Sequence, residues 1–268
     1  ETMVFPSIEV LLSIATTIVA MGGIGATAAW QLETQARDAF LQRRVIRDQL
    51  LSLDVEKGKS DALLLNILPA TVADRLKQDG ESIAEGFGQV TVLFSDIVGF
   101  TKMSGRLEPD EVVRRLNLIF SAFDAIADRL HVEKIKTIGD AYMVAGGLPD
   151  RSEDHAEAIA EMALAMREAL EELKPALGEA VSIRVGIHTG PVVAGVIGKK
   201  KFIYDIWGDT VNTASRMESH ALPGTIQVTA ETAKALEEKY VLTPRGEIDV
   251  KGKGMMKTWF LEGRKVES

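Results

Sequence analysis

The chain has 268 residues, which is enough for one large domain or for a medium-sized domain with attached segments. Its 39 acidic and 31 basic residues give a formal net charge of -8, which argues against a general nucleic-acid-binding protein, because such proteins usually carry a basic face. No cysteine is present, so disulfides, thiolate zinc sites and cysteine nucleophiles are excluded.

A segment without charged residues extends from Val10 to Leu32. As a helix with a rise of about 1.5 Å per residue it would cover roughly 34 Å, which is enough to cross a bilayer. A buried helix and a secretory signal are the alternatives, but the apolar part of a signal is shorter and follows basic residues. Because arginines follow the segment, the positive-inside rule predicts a membrane helix with the rest of the chain in the cytoplasm. The chain begins with Glu1 rather than Met, so we expect a fragment or a processed form.

The next segment, residues 33–84, is predicted to be a helical linker. A spacing of alternating four and three residues predicts a short coiled-coil seam, which would favour a parallel dimer. The seam positions are Leu32, Ala36, Ala39, Arg43, Ile46, Leu50, Leu53 and Lys57. Two charged positions weaken the seam, and a single amphipathic helix lying on the next domain is the alternative. Helical periodicity resumes in Asp61–Asp79, where Pro69 predicts a break or a kink.

From about residue 85 strands and helices alternate. The predicted strands are Gln89–Ser95, His131–Ile138, Ala141–Val144, Ser182–His188 with its continuation Pro191–Ile197, Thr225–Thr229 and a final pair through Leu261. The predicted helices are Asp110–Arg129, Asp154–Leu173, Asp209–Ser219 and Ala230–Glu238. This order predicts an α+β fold with a ferredoxin-like βαββαβ core, in which helices cover one face of an antiparallel sheet. The predicted divisions are a flank (1–9), a membrane helix (10–32), the linker (33–84), a folded domain (85–263) and a tail (264–268).

Two acidic residues lie where strands of this core end. Asp96 follows the first predicted strand and Asp140 lies in the turn between the next two, so the topology can bring their carboxylates together. Two carboxylates that share a site repel each other unless a cation lies between them, which predicts a site for Mg²⁺ or Mn²⁺, with the carbonyl of Ile97 as a further ligand. The alternative for each acid alone is a turn or helix cap.

A helix is predicted to begin directly after this first strand, at Gly99, Phe100 and Thr101. The free N–H groups at a helix start can hold phosphate. A metal site beside a phosphate site is typical of nucleotide chemistry.

Five sequence segments continue this pattern along the chain. They are FSDIVGFT (Phe94–Thr101), KIKTIGDAYM (Lys134–Met143), RVGIHTG (Arg184–Gly190), YDIWGDTVNTASRME (Tyr204–Glu218) and KGKG (Lys251–Gly254). In this order they resemble the catalytic domain of class III adenylyl cyclases over about Glu85 to Gly263. Asn66–Pro69 also resembles the transducing segment that often precedes such domains.

The resemblance implies attack of the ribose 3′-oxygen of ATP on the α-phosphorus, which yields cyclic AMP and pyrophosphate at two divalent cations. Asp96 and Asp140 match the metal-binding acids of the family. Arg184 and Lys251 match positions that contact phosphate, for which a solvated strand arginine and a turn lysine are the alternatives.

Two further matches lie on one predicted helix, where Asn212 would orient the ribose and Arg216 would stabilise charge on the transferring phosphoryl group. Their i,i+4 spacing places both on the same helix face. The alternative is a solvated helix surface.

Base choice is assigned to Lys136 and Asp205. A lysine donor and an aspartate acceptor complement N1 and N6 of adenine, whereas guanine presents the reverse pattern. Guanylyl members of the family have Glu and Cys at these positions, so ATP is the expected substrate.

The resemblance also implies a head-to-tail homodimer, because the metal acids of one subunit face the other catalytic residues of its partner. The alternatives are a guanylyl cyclase and a non-catalytic dimerisation module that binds nucleotide. The chain is expected to be held at a membrane by its N-terminal helix.

Overall fold

The computed structural model describes residues 7–65, 67–79, 83–198 and 202–266. The chain divides into two compact units after Leu64. Residues 1–6 of the predicted flank, Asn66 of the predicted transducing segment and residues 267–268 of the predicted tail lie outside the described residues.

Helix α1 extends from Ile8 to Leu65 and includes the predicted membrane segment and much of the predicted linker. None of the described residues of α1 is buried, and the helix is long and apolar enough to cross a membrane. The seam residues Ile46, Leu50 and Leu53 are exposed on it. The coiled-coil pairing therefore stays a prediction.

A break at Pro69 separates α1 from helix α2, which comprises Ala70–Asp79. The carbonyl of Pro69 accepts a hydrogen bond of 2.8 Å from the amide of Ala73 and so helps to start α2. Leu68 and Val72 are buried, 2% and 5% exposed, within the second unit. These two buried side chains therefore anchor α2 and the residues directly before it.

The second unit is built on one sheet. Its strands are β1 (Ala84–Ile97), β2 (Glu133–Ile138), β3 (Ala141–Gly146), β4 (Ile183–Ile197), β5 (Ile203–Trp207), β6 (Ile226–Thr229), β7 (Tyr240–Val250) and β8 (Gly254–Arg264). The strand order is β2-β3-β1-β4-β6-β8-β7, and β5 pairs with β4. All pairs are antiparallel except β4 with β6.

Five helices connect these strands. They are α3 (Phe100–Ser104), α4 (Pro109–Leu130), α5 (His155–Leu177), α6 (Asp209–Ser219) and α7 (Ala230–Leu236). Buried side chains of α4, α5 and α7 form one core with alternate residues of the sheet, among them Val185 and Ile187 of β4. The same strand thus presents its intervening residues to the opposite face.

Helix α6, which follows the predicted βαββαβ core in the chain, covers that opposite face. Gly186 lies between Val185 and Ile187, and a Cβ atom on it would lie 1.9 Å from the amide nitrogen of Glu218 and 2.6 Å from the carbonyl oxygen of Ala214. Only a residue without a side chain allows the helix to approach the strand so closely. The position of α6 on this face therefore depends on a single glycine.

Most element positions agree with the predictions, and α6 has the predicted bounds. Strand β4 is continuous from Ile183 to Ile197, where we expected a strand and a continuation. Strand β5 was not predicted, because five residues with exposed ends carry little periodicity. Helix α5 extends to Leu177 and includes Pro175 in its last turn.

Candidate active site

The structure brings the two predicted metal-binding acids together. Asp96 is the penultimate residue of β1 and pairs across the sheet with Ala141, the first residue of β3. Asp140 directly precedes Ala141 in the turn from β2, where Gly139 has a left-handed φ of 64°. The two acids therefore lie at adjoining strand ends. Ile97, the further predicted ligand, is the last residue of β1.

The electrostatics of this pair fit a divalent cation. Burial, and next the charge of Asp96, raise the pKa of Asp140 above its ordinary value. A cation between the two carboxylates would relieve this repulsion, and carboxylate oxygens are the ligands that Mg²⁺ and Mn²⁺ prefer. Among the described residues no group of three or more His, Cys, Asp or Glu side chains has metal-binding geometry. Further ligands would have to come from backbone carbonyls, water or substrate.

Arg184 lies directly across the sheet from Asp96, on β4. Its Nη2 donates a hydrogen bond to Asp96 Oδ2, which raises the pKa of the guanidinium. Arg184 Nε lies 3.5 Å from Oε1 of Glu218 on α6. Burial, together with the charge of Asp96, raises the pKa of Glu218 to about 7.

Glu218 belongs to the matched motif, but the sequence analysis assigned it no role. It lies two positions after Arg216, so the two side chains point from different sides of the helix. The signal for its position is Gly186, whose contact with α6 brings Glu218 to the sheet.

The residues predicted to bind phosphate lie at the start of a helix. Gly99 has φ 73° and ψ 17°, a left-handed conformation that favours glycine, and it precedes α3. The first hydrogen bond of the helix runs from the amide of Lys102 to the carbonyl of Gly99, at 3.0 Å. The amides of Phe100 and Thr101 precede this bond, so the helix itself does not use them. They are available to an anion beside Asp96.

The two predicted base-recognition residues are in contact with each other. Lys136 Nζ of β2 donates a hydrogen bond of 2.5 Å to Asp205 Oδ2 of β5. Asp205 Oδ1 also accepts a hydrogen bond of 2.9 Å from the amide of Ile206. The side chains are 36% and 13% exposed, so Lys136 is open to a ligand while Asp205 is largely covered.

Helix α6 presents the two predicted transition-state residues on the face opposite its buried residues. Thr213, Ala214 and Met217 face the sheet, whereas Asn212 is exposed and Arg216 is half-buried. Within the described part of the chain, neither Asn212 nor Arg216 has a side-chain hydrogen bond or ion pair. Both side chains are therefore available for a ligand or for another chain.

The turn between β7 and β8 is fastened to the start of this helix. Lys253 Nζ donates to Asp209 Oδ2 at the first residue of α6. Lys251, the predicted phosphate contact, is exposed in the same turn. This attachment keeps Lys251 on the side of the unit where α6 begins.

The predicted residues thus form two groups in one chain. Asp96 is joined to Arg184 and lies at the strand end next to Asp140, and Lys136 is joined to Asp205. In residues 83–198 and 202–266 no hydrogen bond or ion pair joins these groups or links either of them to Asn212. Within the described residues, direct side-chain contacts thus leave the predicted residues in separate groups.

Comparison with known proteins identifies the family of the chain. An α+β sheet with an acid pair at adjoining strand ends and a helix carrying Asn212 and Arg216 defines a nucleotide cyclase catalytic domain of class III. The chain belongs to the adenylate and guanylate cyclase catalytic domain family, whose sequence profile matches residues 83–263.

Individual relatives include cyclases of both substrate types. An adenylate cyclase of Mycobacterium tuberculosis is 43% identical over 267 residues, which are 99% of this chain and 58% of that protein. The guanylate cyclase domain of RhGC from Catenaria anguillulae in complex with GTP has a TM-score of 0.66 and 41% identity, over 68% of this chain and 100% of that one. The adenylyl cyclase CyaB from P. aeruginosa has a TM-score of 0.64 and 30% identity, over 69% and 97%. The chain thus spans little more than half of the mycobacterial relative.

Proposed function

We propose that this protein is an adenylyl cyclase that converts ATP to 3′,5′-cyclic AMP and pyrophosphate. The observation that carries the proposal is the convergence of Asp96 and Asp140 at adjoining ends of β1 and β3. Such a pair would hold two divalent cations, Mg²⁺ or Mn²⁺, with the carbonyl of Ile97. When bound, the cations lower the pKa of the ribose 3′-hydroxyl and neutralise the leaving pyrophosphate.

The other residues bind and orient the nucleotide. The amides of Gly99, Phe100 and Thr101 face the phosphates, and Arg184 and Lys251 contribute positive charge to them. Asn212 orients the ribose so that its 3′-oxygen approaches the α-phosphorus. Arg216 donates to the transferring phosphoryl group, where charge develops in the transition state.

ATP is the proposed substrate because Lys136 and Asp205 complement adenine. Lys136 offers a donor to N1 and Asp205 offers an acceptor to the N6 amine. Their contact in the structure supports a joint role in base recognition. Guanylyl cyclase activity is the second candidate, supported by the likeness to a GTP-bound guanylate cyclase domain. Guanine would place a donor opposite the Lys136 ammonium and an acceptor opposite the Asp205 carboxylate, so neither side chain would gain a hydrogen bond.

A head-to-tail homodimer with two shared sites is proposed because no described hydrogen bond or ion pair of one chain links the two groups. An exposed apolar patch supports this arrangement. It consists of Val193 and Ile197 on β4 and their register partners Trp207 and Ile203 on β5, which are 46%, 56%, 39% and 48% exposed. Asp205 lies between two of these on the same face of β5. Exposed apolar patches commonly mark protein interfaces, so this one would bring a partner chain close to the base site.

Helix α1 is proposed to anchor the protein in the membrane, with the catalytic unit in the cytoplasm. Besides its length and apolar character, its threonine hydroxyls support this role. Thr16, Thr17 and Thr27 donate to backbone carbonyls three or four residues earlier, at 2.8 to 3.1 Å. Hydroxyl groups satisfied within their own helix can lie in lipid. Residues 33–84 would then transmit a signal from residues 10–32 to a catalytic domain at residues 85–263.

The sheet order also supports a ferredoxin-like core. Strands β2, β3, β1 and β4 are neighbours in that order, and α4 and α5 pack on one face of them. In this plan β1 lies between the hairpin and β4. Asp96 is thereby placed between Asp140 and Arg184.

A direct assay tests the proposed activity. The detergent-solubilised chain is incubated with ATP and Mn²⁺, and cyclic AMP is measured over a range of protein concentrations. We expect cyclic AMP formation with a specific activity that rises with concentration, and loss of activity in Asp96→Asn and Asp140→Asn. Glu172→Gln, an exposed position of α5, is the control. Absence of product from the folded chain, or full activity of the two aspartate variants, would favour a non-catalytic module.

A further inference from the structure

Two polar atoms face each other beside the acid pair without a hydrogen bond. They are Arg184 Nε and Glu218 Oε1, which are 3.5 Å apart, and both are buried. Among the described residues, these are the buried side-chain nitrogen and oxygen atoms that lack a hydrogen-bond partner. Buried polar groups are normally satisfied, so this pair requires an explanation. It indicates an arrangement that is completed in another state of the site.

Arg184 would compete with a bound cation for the carboxylate of Asp96. Its Nη2 donates to Asp96 Oδ2, so it uses a carboxylate oxygen that a divalent cation would need. A guanidinium and a divalent cation at the same carboxylate repel each other. Binding of the cation would therefore displace Arg184 from Asp96 and remove the acceptor of one of its N–H groups.

Glu218 is placed to accept those N–H groups. Nε and Nη2 are the two parallel donors on one edge of the guanidinium, and a carboxylate can accept both at once. Only a small movement separates the present distance of 3.5 Å from a normal hydrogen bond of about 2.9 Å. Glu218 itself is held in place, because α6 is packed directly on Gly186 of the strand that carries Arg184.

We propose that Glu218 is a positioning residue that takes over Arg184 from Asp96 when a divalent cation binds. The transfer frees Asp96 for the cation and leaves the other edge of the guanidinium directed to the phosphates. The transfer accounts for the two unsatisfied atoms, because Arg184 Nε and Glu218 Oε1 then form a hydrogen bond with each other. This inference rests on the proposed function, because it takes Asp96 as a metal ligand.

Mn²⁺ binding in the absence of nucleotide tests the proposal without using activity. Free Mn²⁺ is measured by electron paramagnetic resonance in titrations of the solubilised full chain, as wild type, Glu218→Gln, Arg184→Ala and the double variant. We expect Glu218→Gln to weaken Mn²⁺ binding at least about fivefold, because Arg184 then stays on Asp96. Arg184→Ala should bind Mn²⁺ more tightly than wild type. Adding Glu218→Gln to Arg184→Ala should weaken Mn²⁺ binding by less than about twofold.

The pairwise comparison separates the transfer from a simple charge effect. An equal loss from Glu218→Gln in both backgrounds would mean that Glu218 acts only by its charge, and the proposal would be overturned. If Glu218→Gln does not fold, Arg184→Ala alone decides, since unchanged or weaker Mn²⁺ binding contradicts the proposal. Glu172→Gln on α5 is the matched control and should bind Mn²⁺ as wild type does.

Two further measurements complete the test. Glu218→Gln should regain its turnover of ATP at high Mn²⁺, which a damaged fold would not do, and failure to regain it contradicts the transfer. Asp96→Asn reports on the proposed function instead. If Asp96→Asn binds Mn²⁺ as wild type does, the metal site itself is wrongly assigned. If binding depends on Asp96 but not on Glu218, only the transfer is wrong.

Discussion

Lys136 and Asp205 form a hydrogen-bonded ion pair at 2.5 Å, although 69 positions separate them in the sequence. The contact joins β2, in the hairpin that also carries Asp140, to β5, which is paired to the far end of β4. Each side chain keeps bonding capacity for a ligand, because an ammonium has three donors and a carboxylate accepts several hydrogen bonds. The pair can therefore recognise a base as one unit.

The first prediction concerns base choice. Replacing both residues, Lys136→Glu with Asp205→Cys, should shift the ratio of kcat/KM for ATP and GTP towards GTP by about 10²-fold or more, because adenine then meets unmatched groups. Steady-state turnover of both nucleotides measures this ratio. Lys257→Ala, an exposed lysine on β8, is the control and should leave the ratio unchanged. Unaltered ATP preference in the double variant would refute the assignment of base recognition.

A second prediction concerns Arg216, which has no partner within the described chain. Because its proposed contact exists mainly in the transition state, Arg216→Ala should lower kcat by about 10²–10³ with little change in KM. Kinetics at saturating Mn²⁺ provide the measurement. Ser219→Ala, on the same helix, removes only hydroxyl bonds to the carbonyls of Ser215 and Arg216 and should have almost no effect. A change confined to KM would place Arg216 in ground-state binding instead.

A third prediction concerns the packing of α6 on the sheet. Gly186→Ala would place a methyl group 1.9 Å from the amide nitrogen of Glu218, a contact that only movement of the helix can relieve. We expect a loss of about 3 kcal/mol or more in the free energy of unfolding, together with loss of turnover. Chemical denaturation of Gly186→Ala measures this loss. Gly86→Ala is the control, because a Cβ atom at Gly86 meets nothing within 4 Å. Equal stability of the two variants would mean that α6 does not press on Gly186.

Some features of the fold and of the site could be predicted from the sequence alone, and others could not. Asp96 and Asp140 could be predicted because each ends a strand or lies in a tight turn, and strand order then places them together. Helix α6 was predicted at its correct bounds, Asp209–Ser219. Its face on the sheet and the role of Glu218 could not be predicted, because both depend on one close contact at Gly186. Likewise β5 is defined by its pairing with β4 rather than by its own pattern.

A fourth prediction concerns pH. Burial, and next the charge of Asp128, raise the pKa of Glu133 from 4.5 to about 7. The folded state therefore holds this proton more tightly than the unfolded chain, so its contribution to stability is complete below about pH 4.5 and is lost as pH rises through about 7. Glu133→Gln keeps the site neutral and should be more stable than wild type at pH 8, by on the order of 2 kcal/mol.

Denaturation of the wild type and Glu133→Gln at several pH values tests this expectation. The two should differ little below about pH 4.5, increasingly between about pH 4.5 and 7, and by a constant amount above that range, whereas Glu172→Gln should follow the wild type throughout. A difference that is the same at all pH values would show that Glu133 does not titrate in this range.

The central claim is that two chains complete each active site, and complementation tests it most directly. One inactive chain carries Asp96→Asn and Asp140→Asn, and the other carries Asn212→Ala and Arg216→Ala. When equal amounts are co-expressed and purified together, half of the dimers should be mixed, and each mixed dimer has one intact site. The account predicts recovery of about a quarter of wild-type cyclic AMP formation, while each variant alone stays inactive. If the mixture is as inactive as its components although mixed dimers form, the sites are not shared between chains.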